Sequence, residues 1–128
     1  MRRTVILLIY SGKGVKMVNT HDILLNFSKQ VKDILGDKLT KIILYGSYAR
    51  GDFKTDSDID LMFLLDLPDS DLKAYSRKLS YMTYDFNLDN DLDIKPIAKN
   101  KEHFTKWRTN YPFYANIYKE GVILYGAA

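Results

Sequence analysis

The residues best suited to chemistry are Gly46-Ser47 and, after ten intervening residues, Asp58-Ile59-Asp60. Glycine lets a backbone approach a ligand closely. Backbone N–H groups at the start of a following helix suit a phosphate. The Ser47 hydroxyl adds a donor, and Arg50, about one helical turn on, adds a cation. Asp58 and Asp60 stand two apart at the entry of an apolar run, so on a strand both carboxylates face the same way. Two such carboxylates repel unless something cationic lies between them. Mg²⁺ is held by a few carboxylates together with substrate phosphates. Asp93, flanked by Leu92 and Ile94, supplies a third carboxylate for a two-metal phosphoryl- or nucleotidyl-transfer site. Each piece alone is commonplace: a Gly-Ser pair is ordinarily a turn, and a D-x-D near a strand start is ordinarily solvated or capping. The combination on a strand–turn–strand frame is far more specific.

The elements that must position these groups follow from periodicity. Asn19 or Thr20 caps a helix carrying Ile23, Leu24, Phe27, Val31, Ile34 and Leu35 at helical spacing, and Gly36 ends it. Lys41–Tyr45 reads as a buried strand, residues 46–51 as a turn with one helical turn, and Ile59–Leu65 as a second strand stopped by Pro68. A helix is expected from Asp69 or Ser70 to about Tyr84, and a third strand over Leu92–Ile97. Asn100 caps a helix through Trp107, Pro112 opens another that ends at Gly121, and Val122–Tyr125 closes as a strand. The order α-β-α-β-α-β-α-β predicts an α/β domain, a small mixed sheet packed by helices.

Composition narrows the classes. At 128 residues there is room for one domain, and 46% hydrophobic content is enough for a core. With no cysteine, disulfides, thiolate metal sites and cysteine nucleophiles are excluded. No apolar run approaches a membrane span, and a cytoplasmic setting is expected. Charge is blocked: residues 1–55 carry 10 basic and 4 acidic side chains, residues 56–93 carry 3 and 10, and residues 94–128 carry 6 and 2. The acidic middle holds all three candidate carboxylates. This is unlike a uniform basic face, and direct nucleic-acid binding is disfavoured.

The first 16 residues admit two readings. Arg2-Arg3 before Val5–Tyr10 resembles a secretion signal, but the apolar run is short and lacks a cleavage site. Gly12-Lys13-Gly14 lacks the spacing of a Walker loop. Gly12–Met17 can be encoded by a purine-rich stretch ending in a start codon, which makes Met17 a candidate natural start and 1–16 a misassigned extension. The alternative is an extra strand, Thr4–Tyr10, added to the sheet. The domain itself is placed at 17–128.

Gly46-Ser47, Asp58 and Asp60, with Ala49-Arg50-Gly51, Ser57 and the closing Ile117–Tyr125, resemble the polymerase-β-like nucleotidyltransferase superfamily and its minimal nucleotidyltransferase (MNT) branch. The resemblance implies a polymerase-β-like nucleotidyltransferase fold. It implies that Gly46 and Ser47 hold the terminal phosphates of ATP, and that Asp58 and Asp60 bind two Mg²⁺ ions. Asp93 would share a metal and help deprotonate the acceptor hydroxyl, with Asp91, two residues away, as its rival and Asp89 also near. Arg50 matches a motif position and serves phosphate contact or packing. Larger relatives carry further domains for the acceptor, so a short chain must build that site with a partner, a second copy or its C-terminal helices. MNT proteins resemble antitoxins that transfer AMP onto a tyrosine of a HEPN ribonuclease toxin, a type VII-like toxin–antitoxin pair. Two alternatives stand beside this: a module neutralising the toxin by contact alone, and a small-molecule or RNA nucleotidyltransferase subunit.

Other side chains take ordinary readings. Tyr111, Tyr114 and Tyr118 share helical spacing and read as core or partner interface, as part of a homo- or hetero-oligomer. Trp107 anchors a helix or stacks on a base, Lys101, Lys106 and Arg108 form a solvated face, and His103 is structural.

Overall fold

The computed structural model describes residues 6–11, 14–54 and 56–126, with side chains from Thr20 onward. Two antiparallel strands come first, β1 (Ile6–Ser11) and β2 (Gly14–Asn19). Then follow α1 (Thr20–Leu35), β3 (Leu39–Tyr45), the single-turn α2 (Ser47–Arg50), β4 (Ile59–Leu65), α3 (Asp69–Asn90), β5 (Ile94–Asn100), α4 (Lys101–Trp107), α5 (Pro112–Glu120) and β6 (Val122–Tyr125).

The main sheet has the order β5-β4-β3-β6. β3 is antiparallel to β4 and β6, and β4 is parallel to β5, so the sheet is mixed. The chain is therefore the α/β domain expected. The extra strand expected over Thr4–Tyr10 does not join this sheet. Its described part, β1, pairs with β2 in a hairpin of its own, with Leu8 opposite Met17; Thr4 and Val5 lie outside the described residues.

β4 is apolar almost throughout because both its faces are covered. Ile59, Leu61, Phe63 and Leu65 meet Leu24, Phe27 and Val31 of α1 and Leu79 and Phe86 of α3. Phe27 contacts Phe63 edge-on and Phe86 at 4.6 Å between ring centroids. Met62 and Leu64 face the other way, onto Phe104 of α4 and Tyr114 and Ile117 of α5. The alternation places Asp60 on this second face, beneath α5.

Some element boundaries differ from expectation: β3 starts at Leu39, before Lys41. α3 runs to Asn90, past Tyr84, because Phe86 continues its apolar stripe onto Phe27. β5 accordingly starts at Ile94 and runs to Asn100. Its Pro96 is tolerated because β5 is an edge strand. The α4 start is as expected: the Asn100 side chain accepts from the Glu102 and His103 N–H groups and donates to the Leu67 carbonyl.

Candidate active site

The site is built where β3 and β4 meet, at the end of the sheet bearing the β3–α2 turn. β3 ends at Tyr45, directly opposite Asp60 of β4. Gly46 follows with φ 76° and ψ −154°, a backbone conformation open essentially to glycine alone. A β-carbon there would strike the Asp60 carboxylate oxygen Oδ2. The Gly46 carbonyl then accepts from the N–H groups of Ala49 and Arg50, both at 3.1 Å, which winds α2. Gly51, at φ 83°, ends that turn. Tyr48 is buried and stacks on Phe53 at 4.4 Å, fastening α2 to the core. The loop into β4 is closed by Ser57, whose Oγ accepts from the Lys54 N–H at 2.7 Å while its own N–H donates to the Lys54 carbonyl.

Asp93 reaches the pair from the parallel neighbour. Its backbone carbonyl accepts from the Ile59 N–H at 2.9 Å, so it sits beside the Asp58–Asp60 segment. Asn87 of α3 fixes the next residue from both sides: its amide donates to the Ile94 carbonyl at 3.1 Å and its carbonyl oxygen accepts from the Ile94 N–H at 2.9 Å. Asp91 does not share a strand face with Asp93. It is the left-handed residue that ends α3, at φ 52°, and Asp89 lies in the last turns of that helix.

The carboxylates perturb one another. Asp58 is raised above the ordinary carboxylate range, chiefly by a side-chain hydrogen bond with Asp93. Asp93 is lowered by that same bond and then by Lys95. Of the two, Asp58 holds a proton more readily than Asp93. Lys95 Nζ lies 3.2 Å from Asp93 Oδ1 and its own pKa is raised by this contact. Asp60 is raised first by burial and then by the charge of Asp58, with Arg50 opposing. Tyr45 is pushed up to about 12, by burial and then by Asp60. Arg50 pairs with Asp52 at 3.2 Å and with Glu120 at 3.8 Å.

Three of the participants were not singled out by their sequence. Tyr45, Lys95 and Glu120 come to the site through strand pairing and the descent of α5. Only Lys95, spaced two from Asp93, left a trace in the sequence. A cleft of about 170 Å³ opens beside the turn, lined by Tyr45, Gly46, Arg50, Phe113, Asn116 and Glu120. A larger hollow of about 630 Å³ lies at the opposite end of β4, near Asp66, Pro68, Asn100 and Trp107, and none of the three carboxylates lines it. Trp107 is thus remote from the carboxylates. Tyr114 is buried, with its hydroxyl 3.0 Å from His103 Nδ1, whereas Tyr111 and Tyr118 are exposed, so the three tyrosines do not share one environment.

The profile of the nucleotidyltransferase domain family matches residues 24–124, which contain every element of this site. The chain belongs to that family. Among relatives of this nucleotidyltransferase are two Methanocaldococcus jannaschii proteins, each named "putative protein adenylyltransferase". One is 37% identical over 81 residues, covering 62% of this chain and 79% of the relative. The other is 32% identical over 108 residues, covering 84% of this chain and all of the relative. Among solved structures, a toxin–antitoxin complex with AMP-PNP matches at TM-score 0.49 and 22% identity, over 80% of this chain and 73% of that one. A tri-AMPylated Shewanella oneidensis HEPN toxin with its MNT antitoxin matches at TM-score 0.46 and 18% identity, over 84% and 73%. These two likenesses are of overall shape and lie below the level at which shape speaks to function.

The donor set of the nucleotidyltransferase is hard oxygen throughout, the kind Mg²⁺ prefers. Asp60, half-buried and beside another carboxylate, is electrostatically suited to a cation. Among the described residues no three such groups already stand in a ligating arrangement, and Asp58 and Asp93 bond each other. A cation would replace that hydrogen bond. Among the described residues no helix is long and apolar enough to cross a membrane.

Proposed function

We propose that this chain is a Mg²⁺-dependent protein adenylyltransferase that moves AMP from ATP onto a tyrosine hydroxyl of a HEPN-domain ribonuclease, acting in the cytoplasm as the antitoxin of a type VII-like pair. The observation that carries the reading is the convergence of Asp58, Asp60 and Asp93 beside the Gly46–Ser47 turn. The names of the two Methanocaldococcus relatives support the adenylyl group and a protein acceptor.

The turn would take the terminal phosphates: Gly46 admits them without a side chain, and Ser47 and Arg50 supply a hydroxyl and a cation. Asp58, Asp60 and Asp93 would hold Mg²⁺, which when bound polarises the phosphates and acidifies the acceptor hydroxyl. The acceptor oxygen attacks the α-phosphorus, the bond to the bridging oxygen breaks, and pyrophosphate leaves with the electron pair. The hydroxyl proton passes to Asp93. Tyr45, neutral far above physiological pH, keeps its phenol as a hydrogen-bond donor beside Asp60. The chain's contribution is placement and fixed charge.

The test combines the full chain, ATP, Mg²⁺ and a HEPN-domain protein encoded beside it. The HEPN protein should gain mass in AMP increments, and Asp58→Asn or Asp60→Asn should abolish the gain while leaving the fold intact. Wild-type transfer by either variant, or no gain under conditions in which the chain neutralises the ribonuclease, would overturn the proposal.

A further inference from the structure

Side chains two apart on a strand share a face, and the β4–β5 pairing places Lys95 directly opposite Asp60. Asp58, Asp60, Asp93 and Lys95 therefore gather on one side of two parallel strands. Lys95 Nζ occupies Asp93 Oδ1 at 3.2 Å, while the Asp93 carboxylate also bonds Asp58. Asn87 fixes the backbone beside Asp93 by bonding both the N–H and the carbonyl of Ile94.

We propose that Lys95 is a built-in counter-ion of the carboxylate cluster: it holds Asp93 in its pair with Asp58 and competes with a divalent cation for it. The inference rests on the reading of the three aspartates as metal ligands. As a stabilising contact, an exposed pair such as Lys95–Asp93 is worth little. Its leverage lies elsewhere. A divalent cation entering the cluster must take an Asp93 oxygen from the ammonium and then sit near that ammonium's positive charge, a repulsion that counts twice for a doubly charged ion. Lys95 thus sets the divalent-ion concentration at which the three carboxylates turn onto a metal.

The experiment uses Mn²⁺ alone as the probe and the full chain, with free Mn²⁺ read by electron paramagnetic resonance. Lys95→Met and Lys95→Gln should each bind Mn²⁺ about tenfold tighter than wild type. Lys95→Arg, which keeps the charge, should bind as wild type does. Both neutral variants are expected to fold, since Lys95 is exposed. Unchanged or weaker Mn²⁺ binding in both would overturn the counter-ion role. Asp58→Asn separates the two levels. If it abolishes Mn²⁺ binding while Lys95→Met leaves it unchanged, only the counter-ion role falls. If wild type and Asp58→Asn bind Mn²⁺ alike, or neither binds it, the ligand reading falls and takes the counter-ion role with it.

Discussion

Gly46 lies so close against Asp60 that a single β-carbon at position 46 would meet the carboxylate. The absence of one side chain makes room for the functional group of another. Gly46→Ala should therefore lose on two counts. Holding alanine at φ 76° and ψ −154° costs on the order of 1–3 kcal/mol, and the added carbon displaces Asp60. The urea midpoint should fall and nucleotide transfer should vanish. Ser47→Ala, by contrast, should keep the midpoint and weaken ATP binding about tenfold, the worth of one hydrogen bond to a charged group. Chemical denaturation with parallel calorimetric ATP titration checks both.

Asp60 is held at a cost to the fold. Its folded pKa is raised, chiefly by burial. A group raised in the folded state contributes stability below its unfolded pKa and loses it as pH rises through the folded value. The burden is therefore small near pH 4 and full at neutral pH. Asp60→Asn removes it. With a chelator present, the variant should melt at or above the wild-type temperature at pH 7, with the difference shrinking toward pH 4. Its transfer activity should drop by at least about a thousandfold, as expected when a metal-binding carboxylate is lost. A wild-type melting temperature that exceeds the variant's at pH 7 under these conditions would show that the carboxylate is not strained.

Asn87 holds the backbone next to Asp93. Both its hydrogen bonds go to the backbone of Ile94. Asn87→Leu removes both and frees the segment that carries Asp93. The variant should lose about 1–3 kcal/mol of stability and should lower kcat while leaving the KM for ATP near wild type. A merely structural role would lower the melting temperature and leave kcat untouched at a temperature where the protein is folded.

The strands of the hairpin before α1 pair with each other and not with the main sheet. A variant chain from Met17 to Ala128, which lacks β1, should therefore keep the four-stranded sheet and its transfer activity. Circular dichroism and the AMP-transfer assay check both, and loss of the sheet would show that the main domain needs the hairpin.

Much of the fold and half of the site lay open in the residue order, for a reason that differs by position. Gly46-Ser47 and Asp58-x-Asp60 are local: turn chemistry and strand alternation act over a few residues, so spacing alone declares them. β4, apolar and bounded by Pro68, was legible to the residue for the same reason. The choice between Asp91 and Asp93 was not. On an extended strand both would share a face, and only the reach of α3 to Asn90, drawn on by Phe86 against Phe27, turns Asp91 into a left-handed helix end. The full cluster also required the parallel pairing of β4 with β5, which sets Asp93 by its carbonyl against Ile59 and brings Lys95 across from Asp60. That register joins residues more than thirty positions apart, so no local pattern encodes it. The chain's order determined which groups can do nucleotidyl chemistry. Long-range packing decided which further carboxylate stands beside them and which cation lies against it.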